Sequence, residues 1–573
     1  METYKSGKSP LPETTLAWQM YGAGLENFGR NGKPAELPMP EFGPRELLAR
    51  TDAIGVCFSD VKLITQGNTH VRIAGRDLKK NPAIPGHEVS LTIVGVGEEL
   101  QNKFKIGDRF VVQADVYFNG VNLAYGYALP GGMTQYGVIG KEILEGDEGC
   151  YLIPLQPETG YAEAALTEPW ACVVAAYRIQ PRRELKNGGV TLIIGSGVCE
   201  FGTLFTESSP KPARILASDL IPHILVQIKR LVPDVEIIET SKLSSEDILP
   251  LSQERTGGQG FDDIIVLGTP EPAMVQVLAG ALAKDGIMNI VARESLSEPV
   301  EIDIGRIHYE GWRYIGTKTG YAADSYKATR DSELLAGGAA WFIGAAGPMG
   351  QMHVQRAIAL PNPPLKIMAT DVDNGRLAVL RSVVESSAKK KGIAIRFVNP
   401  TEESLDEAIK DLTGGPGFDD IVCMAPIARL IEEASSYLKQ GGLMNIFAGV
   451  VRGTMAKLDL SATYRRQKRW VGSSGSRVDD LSYTLHETEE GRLPAAHSLA
   501  AIGGMNAMAE GVEAVKSGKF PGKTVIFPQI VDLPLMGLPE LECELPNVYA
   551  KLEDGKFWTH EAEEELLRSK LPG

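Results

Sequence analysis

Cys57, His87, Glu88 and Glu168 are the residues of this 573-residue chain whose types together suit a bound divalent cation. Thiolate, imidazole and carboxylate are the ligand set of a borderline-soft ion such as zinc. Thirty residues separate Cys57 from His87, far too many for a zinc finger, so the fold has to bring them together. That spacing suits a catalytic site with an open coordination position. Taken singly, each residue has a blander reading. A lone cysteine is usually a small buried hydrophobe, and Glu168, ahead of Pro169, reads as a charge favoured at a helix N-terminus. His70, His223, His486, His497 and His560 have no neighbouring motif and read as ordinary.

The elements that must position these side chains lie between residues 46 and 140. ELLARTDAIGVC, VSLTIVGVGEEL, FKIGDRFVVQADVYF and GGMTQYGVIG alternate apolar positions and are broken by glycine, the pattern of a partly open β-barrel. Cys57-Phe58-Ser59-Asp60 follows one strand and begins a helix-like run, while His87-Glu88 opens the next strand. The loop between them is basic, with His70, Arg72, Arg76, Lys79 and Lys80. Such a cluster suits either a phosphate clamp or a solvated surface.

Four stretches carry a family likeness: GVCFSD (55–60), PGHEVSLTIVGVG (85–97), KIGDRF (105–110) and ALTEPWACVVAAY (165–177). They resemble the zinc-dependent medium-chain dehydrogenase/reductase superfamily, in particular its sorbitol dehydrogenase and L-sorbose-1-phosphate reductase branch. The resemblance implies Cys57, His87 and either Glu88 or Glu168 as metal ligands, the second glutamate approaching or exchanging at the metal during turnover. It implies Asp60 as the acceptor that orients His87. It also implies Ser59 as the group that takes a hydroxyl proton and passes it outward toward Lys62; on chemistry alone Ser59 reads equally well as a helix-start cap. Two departures matter. The stretch QADVYFNGVNLAYGYALPGG, where relatives often carry a four-cysteine structural zinc lobe, has no cysteine, so one catalytic zinc and no structural zinc is expected. Lys62 stands where many relatives have a relaying histidine.

The middle of the chain is duplicated. TGGQGFDDIIVL (256–267) returns as TGGPGFDDIVCM (413–424), DGIMNIVA (285–292) as GGLMNIFA (441–448), and YIGTKTG (314–320) as WVGSSGS (470–476). Each copy follows an apolar strand ending in glycine, VTLIIGSG or AAWFIGAAG, which is the βαβ signature of a Rossmann-like domain. The second copy reads Gly344-Ala345-Ala346-Gly347-Pro348-Met349-Gly350 before a helix-like run, and its next strand ends at Asp371. Small residues let the backbone approach a pyrophosphate at a helix N-terminus, and an acid about 20 residues on accepts ribose hydroxyls. Asp371 favours NAD over NADP by repelling a 2′-phosphate, with nearby Arg376 opposing it. In the first copy Glu200 stands where the third glycine belongs, so a carboxylate is expected to face the pyrophosphate and this copy reads as degenerate.

The fold class expected is α/β with a β-rich part: a GroES-like zinc catalytic domain (1–180), a degenerate Rossmann-like domain (181–330), a second Rossmann domain binding NAD (331–499), and a C-terminal return to the catalytic domain ending in a helix with a solvated polar face (500–573). Formal net charge is −15, which argues against nucleic-acid and anionic-membrane partners. Six dispersed cysteines and no signal-like or spanning apolar run read as a reduced, cytoplasmic protein, with a homo-oligomer left open. The expected activity is zinc-dependent hydride transfer between NAD(H) and a secondary hydroxyl of a polyol, sugar or sugar phosphate. The alternatives are an epimerase that retains its NAD and a nucleotide-binding scaffold.

Overall fold

The computed structural model describes residues 2–206 and 208–571, arranged in two units. The first runs to Ala175 and resumes over Gly347–Gln355 and from Gly475 onward; the second comprises Ala176–Ala346 and Arg356–Ser474.

In the first unit an eight-stranded sheet is built on Leu47–Val56, whose ten residues are all buried. Its central Arg50 and Asp52 are buried with the rest and pair with each other at 2.7 Å, so the charges are satisfied inside the fold rather than on a solvated face. Glu88–Val96 pairs antiparallel on one side, with Gly55 opposite Glu88, and Lys523–Phe527 pairs antiparallel on the other, with Thr524 opposite Val56. The C-terminal return therefore enters the very sheet that carries the candidate ligands. It does so as a strand-helix-strand unit: Leu499–Gly504, Met508–Ser517 and Lys523–Phe527, the two strands parallel. The cysteine-free stretch forms a small hairpin, Tyr117–Phe118 with Val121–Asn122, turning through Asn119 (φ 52°) and Gly120 (φ 75°). Both positions are left-handed, the geometry that favours Asn-Gly in two-residue hairpins.

The helix Tyr161–Ala175 is buried along most of its length, so its free N-terminal amides need acceptors. Glu563, 1% exposed on the terminal helix His560–Lys570, supplies both oxygens: Oε1 accepts from Tyr161 N at 2.5 Å and Oε2 from Ala162 N at 2.8 Å. The acidic run of that helix was expected to be solvated. One of its carboxylates instead turns inward, because a buried helix start costs more unpaired than a carboxylate costs to bury.

The second unit holds two six-stranded parallel sheets of identical order. In the first the strands lie side by side as Glu236–Thr240, Arg214–Ser218, Val190–Ile194, Phe261–Leu267, Leu282–Val291 and Arg313–Thr317. In the second they are Ala394–Val398, Lys366–Thr370, Ala339–Ile343, Phe418–Cys423, Leu438–Ile446 and Arg469–Val471. This is the doubly wound order, third-second-first-fourth-fifth-sixth. The repeated Phe-Asp-Asp is structural. Asp262 and Asp419 accept from Val190 N and Ala339 N, each at 2.8 Å, and pin the first strand of each sheet to the fourth. Asp263 and Asp420 are buried and paired with Arg182 and Arg330.

The copies differ after their first strand. In the second, the helix Pro348–Ala359 follows the glycine turn. In the first, the described residues between Ile194 and Arg214 form only a 3₁₀ turn, Gly202–Phe205. Glu200 is exposed, and its backbone bonds instead to another loop, N to Gly320 O at 2.8 Å and O from Ala322 N at 2.9 Å. The reason given from sequence therefore needs correcting. The side chain of Glu200 does not crowd a pyrophosphate helix; the described residues contain no such helix, and the loop is committed to a backbone contact. Among the described residues no helix is long and apolar enough to cross a membrane.

Candidate metal centre

Cys57 caps the helix Phe58–Gln66 at the end of the central strand, and His87 and Glu88 begin the neighbouring strand. Gly86 makes that juxtaposition: its φ is +97°, and a Cβ there would lie 2.2 Å from Ile54 Cδ1, so only glycine fits the turn. One ligand atom each from Cys57, His87 and Glu88 lie within 4.8 Å of one another, the one such group found among the described residues. Asp60 ties two of them together. Fully buried, it accepts from Cys57 N at 2.9 Å through Oδ2 and lies 3.3 Å from His87 Nδ1 through Oδ1. Burial alone would lower the His87 pKa, but the Asp60 carboxylate outweighs it and holds the imidazole well above its ordinary value.

Glu88 is also fully buried. Its Oε1 pairs with Lys523 Nζ at 2.5 Å, while Oε2 has no hydrogen-bond partner. A buried carboxylate oxygen without a donor is costly, and a bound cation removes that cost. A soft sulfur ligand, an imidazole and a buried carboxylate gathered this closely fit zinc. Lys523 is 5% exposed; burial would depress its ammonium, but Glu88, Cys57 and Glu168 together raise it, so it stays charged. It is the counter-charge of an acidic site.

Glu168 lies mid-helix, ahead of Pro169, rather than at the N-terminus that the blander reading placed it on. It is buried, and burial together with the charge of Glu88 pushes its carboxyl up to about 7, against the opposing pull of His87. It stands outside the close triad, so the structure puts Glu88 rather than Glu168 beside Cys57 and His87.

The sequence families Alcohol dehydrogenase GroES-like domain and Zinc-binding dehydrogenase match residues 43–145 and 348–490. Mannitol-1-phosphate 5-dehydrogenase of Aliivibrio fischeri is 30% identical over 312 residues, spanning 50% of this chain and 71% of that protein. The chain belongs to the zinc-dependent medium-chain alcohol dehydrogenase family. L-sorbose 1-phosphate reductase of Klebsiella pneumoniae is 29% identical over 335 residues, spanning 54% of this chain and 77% of that protein. Sorbitol dehydrogenase of Mus musculus is 25% identical over 307 residues, spanning 49% and 76%. The chain is thus an oxidoreductase that works with zinc and a nicotinamide cofactor. Residues 181–330, the first Rossmann copy, fall outside both matched stretches.

In this zinc dehydrogenase Ser59 is half-buried, with Oγ 3.5 Å from Cys57 Sγ. Lys62 is exposed, its Nζ 5.7 Å over the Phe58 ring, and among the described residues no hydrogen bond joins it to Ser59. Of the nucleotide-turn residues, Gly344 takes a left-handed φ of 74° and Pro348-Met349-Gly350 open the helix after Gly347. Asp371 follows Lys366–Thr370 and accepts from Ala346 N at 3.1 Å and from Asp373 N at 3.2 Å. Arg376 lies 3.8 Å from Asp373, which partly offsets its charge.

Sequence reasoning did not single out Lys523, Cys172 or Tyr127. Cys172, one helical turn after Glu168, lies 4.0 Å from its Oε1, and burial plus that carboxylate hold the thiol well above its ordinary pKa. The i, i+4 spacing was the available signal. Tyr127 stacks 5.5 Å from His70 and sits 5.8 Å from His87, with the Arg72 guanidinium 4.8 Å over its ring. His70 is therefore beside the site rather than an ordinary surface histidine. Lys523 had no local signal at all, being 435 residues from Glu88.

Asp60→Asn is expected to keep the fold but lower zinc affinity about 10- to 100-fold, because the carboxylate that orients a ligating imidazole is lost. Competition with a chromophoric chelator measures it; unchanged affinity would remove Asp60 from the site.

Proposed function

We propose that the chain is a one-zinc, NAD-linked dehydrogenase of a secondary hydroxyl on a sugar or polyol phosphate, with Cys57, His87 and Glu88 holding the metal. The observation that carries this reading is that one ligand atom each from those three residues lie within 4.8 Å of one another, on a buried Glu88 carboxylate with one unpartnered oxygen. When bound, zinc supplies Lewis acidity that lowers the pKa of the reacting hydroxyl, and the nicotinamide takes the hydride. The chain's own residues do the rest. Asp60 fixes His87 and the start of the Cys57 helix. Lys523 supplies the buried counter-charge to Glu88. Ser59 Oγ, half-buried beside Cys57, would accept the hydroxyl proton and release its own to solvent, a route that does not run through a bond to Lys62. Glu168, with its carboxyl near neutrality, stands ready to approach the metal as ligands exchange.

The cofactor belongs to the second Rossmann copy, whose turn leads into a helix, and Asp371 there disfavours a 2′-phosphate. Gly350→Val should therefore weaken NAD binding by about tenfold or more, whereas Glu200→Gly should leave it unchanged. Titration calorimetry on both variants decides, and the opposite pattern would move the cofactor to the first copy.

The anionic end of the substrate is assigned to Arg72 with His70 and Lys62. Burial and then the Arg72 and Lys62 charges push His70 below its ordinary pKa, so its imidazole, stacked on Tyr127 beside the Arg72 guanidinium, offers a neutral hydrogen-bonding group while Arg72 and Lys62 carry the positive charge. Arg72 is held at 2.9 Å by Asp115, which leaves further guanidinium donors. Arg76 is otherwise engaged, donating to the carbonyls of Asn81, Pro82 and Ala128. The test follows NADH absorbance with zinc-loaded protein, NAD and a panel of polyols, sugars and their phosphates. Turnover of a phosphorylated member is expected, and Arg72→Ala should raise its KM about 10- to 100-fold, the worth of a charge-assisted hydrogen bond, with kcat little changed. Turnover only of unphosphorylated sugars would overturn the phosphate assignment. Silence across the panel with zinc and NAD both bound would favour an epimerase that keeps its cofactor.

A further inference from the structure

The two Rossmann copies touch each other in a way that has its own symmetry. From Asp285 onward equivalent positions lie 156 residues apart: Met288 and Met444, Tyr314 and Trp470, Gly316 and Gly472. Beside the two large sheets, Val300–Asp303 of the first copy pairs antiparallel with Met455–Leu458 of the second, Val300 opposite Leu458 and Ile302 opposite Ala456. By the same offset, Ala456 is the counterpart of Val300 and Leu458 the counterpart of Ile302. Exchanging the copies therefore turns the pair Val300–Leu458 into the pair Ala456–Ile302, which is the other pair observed.

The same reciprocity holds at the outer strands of the sheets. A Cβ on Gly472 would lie 2.7 Å from His308 Cα, and a Cβ on Gly316 would lie 2.8 Å from Tyr464 Cβ. His308 and Tyr464 are themselves 156 residues apart. Each outer strand therefore meets the opposite copy's helix at the same glycine. The contact is a core: Val300, Ile302, Ala456 and Leu458 are all at most 1% exposed, and one continuous apolar cluster takes in both copies. Reciprocal contact of this kind is what two identical subunits make around a twofold axis.

We infer that the first Rossmann copy is the second copy's built-in partner, closing within one chain the self-complementary face through which two single-copy chains would pair. This explains how the first copy keeps the full strand order and the buried aspartate-arginine pair while the described residues after its first strand form a loop with only a 3₁₀ turn. What is retained is the framework that presents the face; what is lost is the part that would hold a ligand. The face on the second copy is covered, and no second chain is needed there. The inference stands on strand register, whichever copy binds nucleotide.

Hydrogen exchange followed by mass spectrometry on the full chain tests it, reading peptides that cover 300–303 and 455–458. Both segments should be protected alike, and equally at micromolar concentration and after hundredfold dilution, because cis pairing does not depend on concentration. Ile302→Asp, a change on the first copy, should speed exchange at 455–458 by tenfold or more. Should that variant fail to fold, Glu301→Lys sets like charges across the exposed Glu301–Lys457 pair and should give a smaller acceleration in the same peptide. Protection that falls on dilution would mean that the face pairs with another molecule. Exchange at 455–458 that neither variant changes would mean that the two strands do not support each other. Either result overturns the inference.

Discussion

Cys57→Ala is expected to leave a folded protein that holds almost no zinc and has lost on the order of 10³-fold or more in kcat/KM. Cys57 is only half-buried and sits at a helix start whose backbone is held by Asp60, so removing its sulfur leaves no large core cavity. It does remove the one soft anion from a group of three ligand atoms, and a site with only His87 and Glu88 binds zinc weakly. Metal analysis of the dialysed variant and steady-state assay on the responsive substrate measure both effects. Cys172→Ala is the informative companion. Cys172 belongs to the same buried pocket, but its thiol is held in the neutral form by burial and by Glu168, and it lies outside the close group. Zinc stoichiometry should stay near one per chain in that variant. If Cys172→Ala loses the metal and Cys57→Ala keeps it, the ligand set is wrong.

Lys523→Met should destabilise the zinc-free protein by about 3–5 kcal/mol, the range for breaking a buried ion pair from one side. Glu88 is then left buried with neither oxygen paired. The loss should be clearly smaller when zinc is present, since the cation compensates the same carboxylate. Urea unfolding with zinc and with a chelator reads out that difference. An equal loss in both conditions would show that Glu88 does not face the metal, and no loss in either would show that the Lys523 pair is not formed in solution.

Much of the site was readable because its parts announce themselves locally. Cys57 sits at a strand-to-helix transition, His87-Glu88 opens a strand after a proline-glycine turn, and Asp60 is three residues from Cys57. These are short-range patterns of turn chemistry and periodicity, and the family likeness linked them. The duplication was also legible, since a repeat is a property of sequence alone. Misreadings arose wherever a residue's role depends on what folds against it. Glu168 in front of a proline looks like a helix start, and only the folded helix shows seven residues preceding it. Glu563 looks like one of several solvated acids until the free amides at Tyr161 and Ala162 are seen to need it.

The sequence by itself determined the class of the protein, a zinc dehydrogenase with two Rossmann-like sheets and a β-rich part, and it singled out a candidate metal site and a candidate nucleotide turn. Tertiary structure alone decided which glutamate stands beside Cys57 and His87, that Lys523 balances its charge, that Arg72 and His70 flank Tyr127, and that the two copies meet reciprocally. For the ligand choice, the charge balance and the meeting of the copies the physical reason is strand register, which sets Gly55 opposite Glu88, Thr524 opposite Val56 and Val300 opposite Leu458 through backbone pairing that leaves no local mark on either residue.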